Sequence, residues 1–423
     1  MMDAIPQRIM PKTRAQQAIC ALLNTGDAAE RCHAVRSLGR FGDSAAVAAL
    51  TPRLRDEDID VCIDTAEALG HLRDTSATPS LLATVRKDPD GTVKIAAIEA
   101  LGRIGGDDAI ALLLEIAVHR PDDLGFTAEA WDPWWDMQLK AVDALGRLRV
   151  TAAVPVITAL LDDEDGQDIE SEILTALARI GGTGEEILIS RLTQSTPRGR
   201  RRAAHALRLS VTPTAASALG RALMDPAPEV RAAAAQALAE TGAVRYLPAI
   251  LLLFRDRDGN VRSSAVQAAE TMSRNSDATA IPVPELIKLT RDTDTAVQII
   301  ALATLSHSVI PLDEEARNEI VAIAGNHPDA QVAAAACALI GQWPDQQFSS
   351  ALAGVLAGLT ADVARPPELR CAATRALGNM GHWDETVASA LTRACVAAPA
   401  ALRLAALHTL IKLETASQKS DPD

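Results

Sequence analysis

Aromatic side chains are scarce in this 423-residue chain: 2% of residues, with one Tyr, four Phe and five Trp. The core must therefore be built from Ala, Leu, Val and Ile, a composition that suits closely packed helices. No run of about 18 apolar residues occurs, which excludes membrane insertion through a spanning helix. Met1 to Arg14 contains no apolar leader segment, so a soluble, cytoplasmic protein is expected. Positive charge is in deficit: 41 Lys and Arg stand against 55 Asp and Glu, giving a net charge of −14. Such a surface repels phosphate backbones, so nucleic acid is not an expected partner unless a local patch reverses the field. The six cysteines form no C-x-x-C pair, and several fall at core-like positions of predicted helices, so they read as buried thiols in a reducing compartment. A Walker A loop, a G-x-S-x-G elbow and an H-E-x-x-H motif are all missing, and the eight His are scattered. No catalytic residue, metal ligand or cofactor is assigned, and a non-enzymatic role is expected.

What the chain does contain is a recurring phrase, apolar–basic–x–x–apolar–x–x–Ala–Leu–Gly. Clear copies are Val93-Lys94…Leu101-Gly102, Val230-Arg231…Leu238 and Leu369-Arg370…Leu377-Gly378. Counting the first apolar residue as position i, positions i, i+4, i+7 and i+8 are apolar or small and make one face of an α-helix. The i+8 residues are Leu38, Leu69, Leu101, Leu145, Leu177, Leu207, Leu238, Ala269, Leu305, Ile340, Leu377 and Leu410, which marks twelve units. A period of this length means stacked two-helix units rather than a globule. The Gly that follows i+8 (Gly39, Gly70, Gly102, Gly146, Gly341, Gly378) is read as a helix stop. A second helix follows, as in Ala45–Leu54, Ile110–Val118, Val154–Leu161 and Tyr246–Phe254. Next comes an acidic turn such as Asp88-Pro89-Asp90-Gly91 or Asp256-Arg257-Asp258-Gly259, which caps the helix of the next phrase.

This pattern resembles the HEAT repeats, specifically the short bacterial kind named after phycobilisome lyases, over about Thr13 to Leu413. The resemblance implies an all-α, right-handed α-solenoid of about twelve two-helix HEAT-like repeats. It also implies a ladder along the inner surface between the turn Asp and the i+1 Arg. Arg31, Lys94, Arg200, Arg231, Arg262, Arg370 and Arg403 hold that basic position, whereas Cys62, Gln138, Glu170, Gln298 and Ala333 depart from it. Aspartates and arginines at fixed repeat positions are expected to hold one unit to the next rather than to act as catalytic acids and bases. Two related enzyme families do not match. Deoxyhypusine hydroxylase binds iron through His-Glu pairs, and the sequence holds no His-Glu dipeptide. Alkylpurine DNA glycosylases use a basic groove, which the acidic balance opposes.

The period breaks in three places. Leu101 and Leu145 are 44 residues apart, and the extra residues lie within 118–136, with Phe126 and three of the five Trp: Trp131, Trp134 and Trp135. Asp132 reads as an N-cap and Pro133 as the first residue of the next helix, which places Trp134 and Trp135 on its first turn. Insertions in solenoids fall on loops, often on the binding face, and clustered Trp anchor interfaces; rings plugging a gap between units is the other reading. The second break is a run of basic residues, Arg198, Arg200, Arg201 and Arg202, with Arg208 further on. Arginine opposes the macrodipole at a helix start, which favours a functional reason for the patch; a solvated helix start is the alternative. The third is the looser stretch from Arg274 to Asp329, where a change of curvature is expected. The tail 414–423 is polar, and disorder is expected there.

These readings point to a scaffold or adaptor that binds a protein partner through its concave helix-B surface. Phe126, Trp131, Trp134, Trp135, Arg198, Arg200, Arg201 and Arg202 are its candidate contact residues. The resemblance carries an alternative: a phycobilin-lyase-like enzyme or chaperone acting on a cofactor-bearing protein.

Overall fold

A computed structural model describes residues 14–41, 44–119, 133–162, 169–275, 281–307, 311–343, 350–381 and 384–420. Among them are 24 α-helices, a few short 3-10 turns and no strand, an all-α solenoid. The chain divides into two compact units, Met1–Ala215 and Ala216–Asp423.

The first unit contains α1 (Arg14–Thr25), α2 (Ala28–Phe41), α3 (Ser44–Leu50), α4 (Ile59–Leu72), α5 (Thr78–Lys87) and α6 (Gly91–Ile104). It continues with α7 (Asp107–Val118), α8 (Trp134–Arg147), α9 (Ala153–Ala159), α10 (Glu170–Ile180), α11 (Thr183–Gln194) and α12 (Pro197–Leu207). The helix α13 (Pro213–Ala222) carries the division point. The second unit holds α14 (Pro228–Glu240), α15 (Leu247–Leu252), α16 (Gly259–Arg274), α17 (Val283–Leu289), α18 (Thr295–Ser306) and α19 (Glu314–Asn326). After these come α20 (Ala330–Ile340), α21 (Ser350–Ala361), α22 (Pro367–Met380), α23 (Glu385–Ala397) and α24 (Ala400–Ser420). The even-numbered helices carry the recurring phrase. Within each unit every one of them packs on the next, and the odd-numbered helices cover them. The looser stretch 274–329 lies inside the second unit, where α16, α18 and α20 stay packed in sequence.

The i+8 register sits where the pattern places it. Leu69, Leu101, Leu145, Leu177, Leu207, Leu238, Ala269, Ile340 and Leu377 are fully buried. Leu410 alone of the twelve is only half-buried. It lies on α24, which packs on α22 and α23. That helix runs on to Ser420, through most of the stretch expected as a disordered tail. No helix breaker interrupts the sequence before Pro422.

Of the six glycines read as helix stops, Gly341 does stand at the end of α20, and the other five correct the reading. Gly39, Gly70, Gly102, Gly146 and Gly378 do not end their helices, which continue two or more residues further, or one in the case of Gly146. They let neighbouring even-numbered helices touch. A methyl group added at Gly70 would stand 2.8 Å from Cα of Ala100, and at Gly146 it would stand 2.7 Å from Cα of Ala176. The left-handed turns come later, at Arg73 and Gly381 for example. Gly70→Ala should therefore force α4 and α6 apart and cost about 1–3 kcal/mol. Chemical denaturation checks this, and an unchanged midpoint would mean that the helices do not approach so closely.

Candidate functional site

The acidic turns have one recurring construction. In Asp-x-Asp the second carboxylate caps the following helix: Asp58, Asp90, Asp258 and Asp294 each accept a backbone N–H two residues on. The first carboxylate accepts the N–H of that second Asp, at 3.2 Å for Asp56, 2.9 Å for Asp88, 2.9 Å for Asp256 and 2.9 Å for Asp292. Its remaining lone pairs face the preceding unit, and there the i+1 arginine meets it. Arg231 grips Asp256 with Nε at 2.8 Å and Nη2 at 2.7 Å. Arg262 grips Asp292 in the same bidentate way. Arg31 reaches Asp56 through one nitrogen at 2.7 Å.

The i+1 side chain has a second task. Arg31, Arg200, Arg231 and Arg262 donate to a carbonyl five or six residues upstream: Gly26, Ser195, Asp225 and Asp256. Two of the departures keep this task. The Cys62 thiol donates to the carbonyl of Asp56, and Gln298 Nε2 donates to that of Asp292 at 2.7 Å. Where Gln298 replaces arginine, the next turn has replaced its Asp as well: His327 accepts the Asp329 N–H through Nδ1. Glu170 reverses the charge and pairs with Arg191 and Arg202.

Burial alone would raise the Asp256 carboxyl. The hydrogen bonds from Arg231 and the Asp258 N–H, with the Arg231 charge, outweigh it and hold the group below its ordinary value. Asp292 with Arg262 and Asp56 with Arg31 behave alike. Because the folded state lowers these pKa values, their stabilisation is fully present above the unfolded carboxylate value of about 3.9. It is lost as pH falls through the folded values. Acid titration followed by circular dichroism should show stability dropping below about pH 4. Arg231→Met should shed part of that dependence; an identical acid limb would contradict the role given to Asp256.

The segment with the tryptophans is only partly described. Phe126, Trp131 and Asp132 lie outside the described residues. The helix α8 opens at Trp134, one residue later than expected, with Pro133 at its cap position. Pro133 rests on the start of α6, where a methyl group added at Gly91 would stand 2.5 Å from its Cγ. Trp134 is buried and continues the inward stripe of Met137, Gln138, Ala141 and Leu145. Trp135, one step around the helix, is 38% exposed.

The basic run divides in the same way. Thr196 caps α12 by accepting the Gly199 N–H, and Pro197 is its first residue. Arg200 is half-buried and engaged with Ser195, and Arg202 belongs to the Glu170 pair. Arg198 and Arg201 are exposed, in line with His205 and Arg208 at spacings of three, four and three along the outer face. Sequence reasoning had no signal for the Glu170–Arg202 pair, because its partners belong to different repeat positions. The helices α8, α10 and α12 pack in sequence: Gly146 near the end of α8 meets Ala176 of α10, and Glu170 at the start of α10 meets Arg202 in the middle of α12. Trp135 and Arg198 each lie in the first turn of their helix, on α8 and α12.

Comparison with known proteins follows this geometry. The model described as HEAT repeats matches residues 50–131 and 185–270, and that described as PBS lyase HEAT-like repeat matches residues 30–56 and 137–163. The chain is a HEAT-repeat protein of the phycobilisome-lyase-like type. No curated protein matches it. Among solved structures, a mutant of Kap121p is 13% identical, with 96% of this chain and 49% of that chain covered and a TM-score of 0.50. The HEAT chain thus spans about half the length of that structure. The complex of CpcE and CpcF of phycocyanin lyase from Nostoc sp. PCC7120 is 22% identical over 65% of this chain and 99% of that chain, with a TM-score of 0.34. At 13% identity the likeness to the Kap121p mutant is one of fold. No helix among the described residues of this HEAT protein is long and apolar enough to cross a membrane.

Proposed function

We propose that this HEAT-repeat protein is a non-catalytic scaffold that binds a protein partner along the edge of its first unit formed by the starts of α8, α10 and α12. Trp135 is the apolar anchor, and Arg198 and Arg201 supply charge that a carboxylate-bearing partner surface complements. The observation that carries this reading is the exposure of Trp135, a large ring left 38% open in a chain with few rings. Exposed Trp and Arg are the residue types that dominate interface energetics. Phe126 and Trp131 of the insertion belong to the same proposed surface. Trp134, Arg200 and Arg202 support it from beneath, through burial, the Ser195 carbonyl and Glu170 respectively.

The matches to the lyase-type repeat favour one second reading, in which the partner carries a cofactor that this chain helps to attach or shield. Affinity capture from lysate of the source cells, with Trp135→Ala and Arg198→Glu/Arg201→Glu compared against wild type, tests both. The scaffold reading expects one protein lost from both variants, an eluate without visible absorption, and melting unchanged within about 0.5 kcal/mol. A coloured eluate moves the weight to the second reading. Capture unaffected by either variant overturns the proposed surface.

A further inference from the structure

Among the described residues, the ladder keeps a carboxylate without its cation at the turn between α5 and α6. Cys62 stands at the i+1 position of α4 and holds the upstream carbonyl of Asp56, as the arginines do, but it has no group to send to the next turn. That turn nevertheless keeps its Asp. Asp88 accepts the Asp90 N–H at 2.9 Å and makes no ion pair among the described residues. The contrast with α18 is direct, since there Gln298 replaces arginine and His327 replaces the facing Asp together. Between Cys62 and Asp88 lies a cleft of about 550 Å³, walled by Ile59, Thr84 and Val93. Glu57 and Asp90 also line it, with two exposed cations, Arg55 and Lys87, while Asp56 is already paired with Arg31.

We infer that this cleft is a binding site for a guanidinium group, presented by an arginine side chain of a protein partner that completes the ladder at Asp88. Two templates in the same chain show what such a turn does with a guanidinium: Asp256 and Asp292, in the same turn construction with the same N–H acceptor role, each take one bidentately from the preceding unit. A carboxylate already fixed by a backbone N–H presents both oxygens without further ordering, and the planar fork of arginine matches it better than an ammonium does. The exposed Ile59 side chain gives the methylene stem an apolar surface to lie on. The site deepens the protein-partner reading by naming the chemistry of one contact. It rests on its own cleft and not on Trp135.

The test uses the full-length protein, labelled with nitrogen-15, titrated with acetyl-arginine-amide and followed through its backbone amide signals. Saturable shifts centred on Asp88 and Asp90 are expected, with acetyl-citrulline-amide weaker by about tenfold or more for want of charge. Asp88→Asn keeps the backbone bond to Asp90 within reach and should abolish the response. Cys62→Arg should fill the cleft from within, raising the unfolding midpoint and removing the response as well. No saturable shift in the wild type, an equal response to citrulline, or a response that survives Asp88→Asn would overturn the proposal. An equal response to acetyl-lysine-amide would overturn the assignment to guanidinium. Failure here leaves the Trp135 surface standing, because the capture experiment reads that surface separately.

Discussion

Truncating Arg231 to alanine should destabilise the second unit by about 3–5 kcal/mol, the cost of leaving one member of a buried ion pair uncompensated. The side chains of Arg231 and Asp256 are 8% and 9% exposed. The variant strands Asp256 and also frees the carbonyls of Asp225 and Pro226, which Arg231 holds at 2.8 and 3.2 Å. Arg231→Ala/Asp256→Ala should recover part of the loss, since no orphan charge remains. Arg255→Ala is the control: Arg255 is 73% exposed in its pair with Glu285, and its loss should cost about 0–1 kcal/mol. Hydrogen exchange at the amides of α14 and α16 is the readout of choice, because repeat arrays open locally. Equal effects at Arg231 and Arg255 would mean that the ladder does not bind unit to unit.

Leu238→Ala and Leu101→Ala should each cost about 2–5 kcal/mol, the range for a buried leucine whose cavity only partly collapses. Both are fully buried at the i+8 position, one in each unit. The half-buried Leu410, at the same register on α24, should cost clearly less. A near-zero effect at Leu101 or Leu238 would contradict the repeat register itself.

The helices and their order were legible because the phrase is dense in Leu and Ala at fixed spacing, and helical periodicity translates that spacing directly into a buried face. The capping aspartates were legible for a similar reason: a carboxylate immediately before a helix start meets the free backbone N–H groups of its first turn. Five of the six glycines were misread because a Gly at this position has two uses, ending a helix, as Gly341 does, or admitting another one. Only the position of the neighbouring Ala100 or Ala176 decides between them. The ladder was foreseen by resemblance and its exceptions by residue type, but what the exceptional residues bond to was not. Nothing in a string of letters says that Gln298 bonds the Asp292 carbonyl while His327 takes the Asp329 N–H, or that Asp88 and Cys62 line one cleft. At the candidate surface, sequence grouped eight residues by type. The structure separates those it describes by angle around the helix: Trp134 turns inward while Trp135 turns outward, and Arg202 meets Glu170 while Arg201 meets solvent.

The most direct measurement places a photo-crosslinking amino acid at position 135 in the intact protein and irradiates it in lysate of the source cells. A second sample carries the same group at position 224, where Met224 is 88% exposed in the other unit. The scaffold account predicts a discrete crosslink from position 135 to the protein retained by affinity capture, absent from position 224 and lost when Arg198 and Arg201 are reversed to Glu. Capture of that protein without any crosslink from position 135, or with equal crosslinking from both positions, would contradict it.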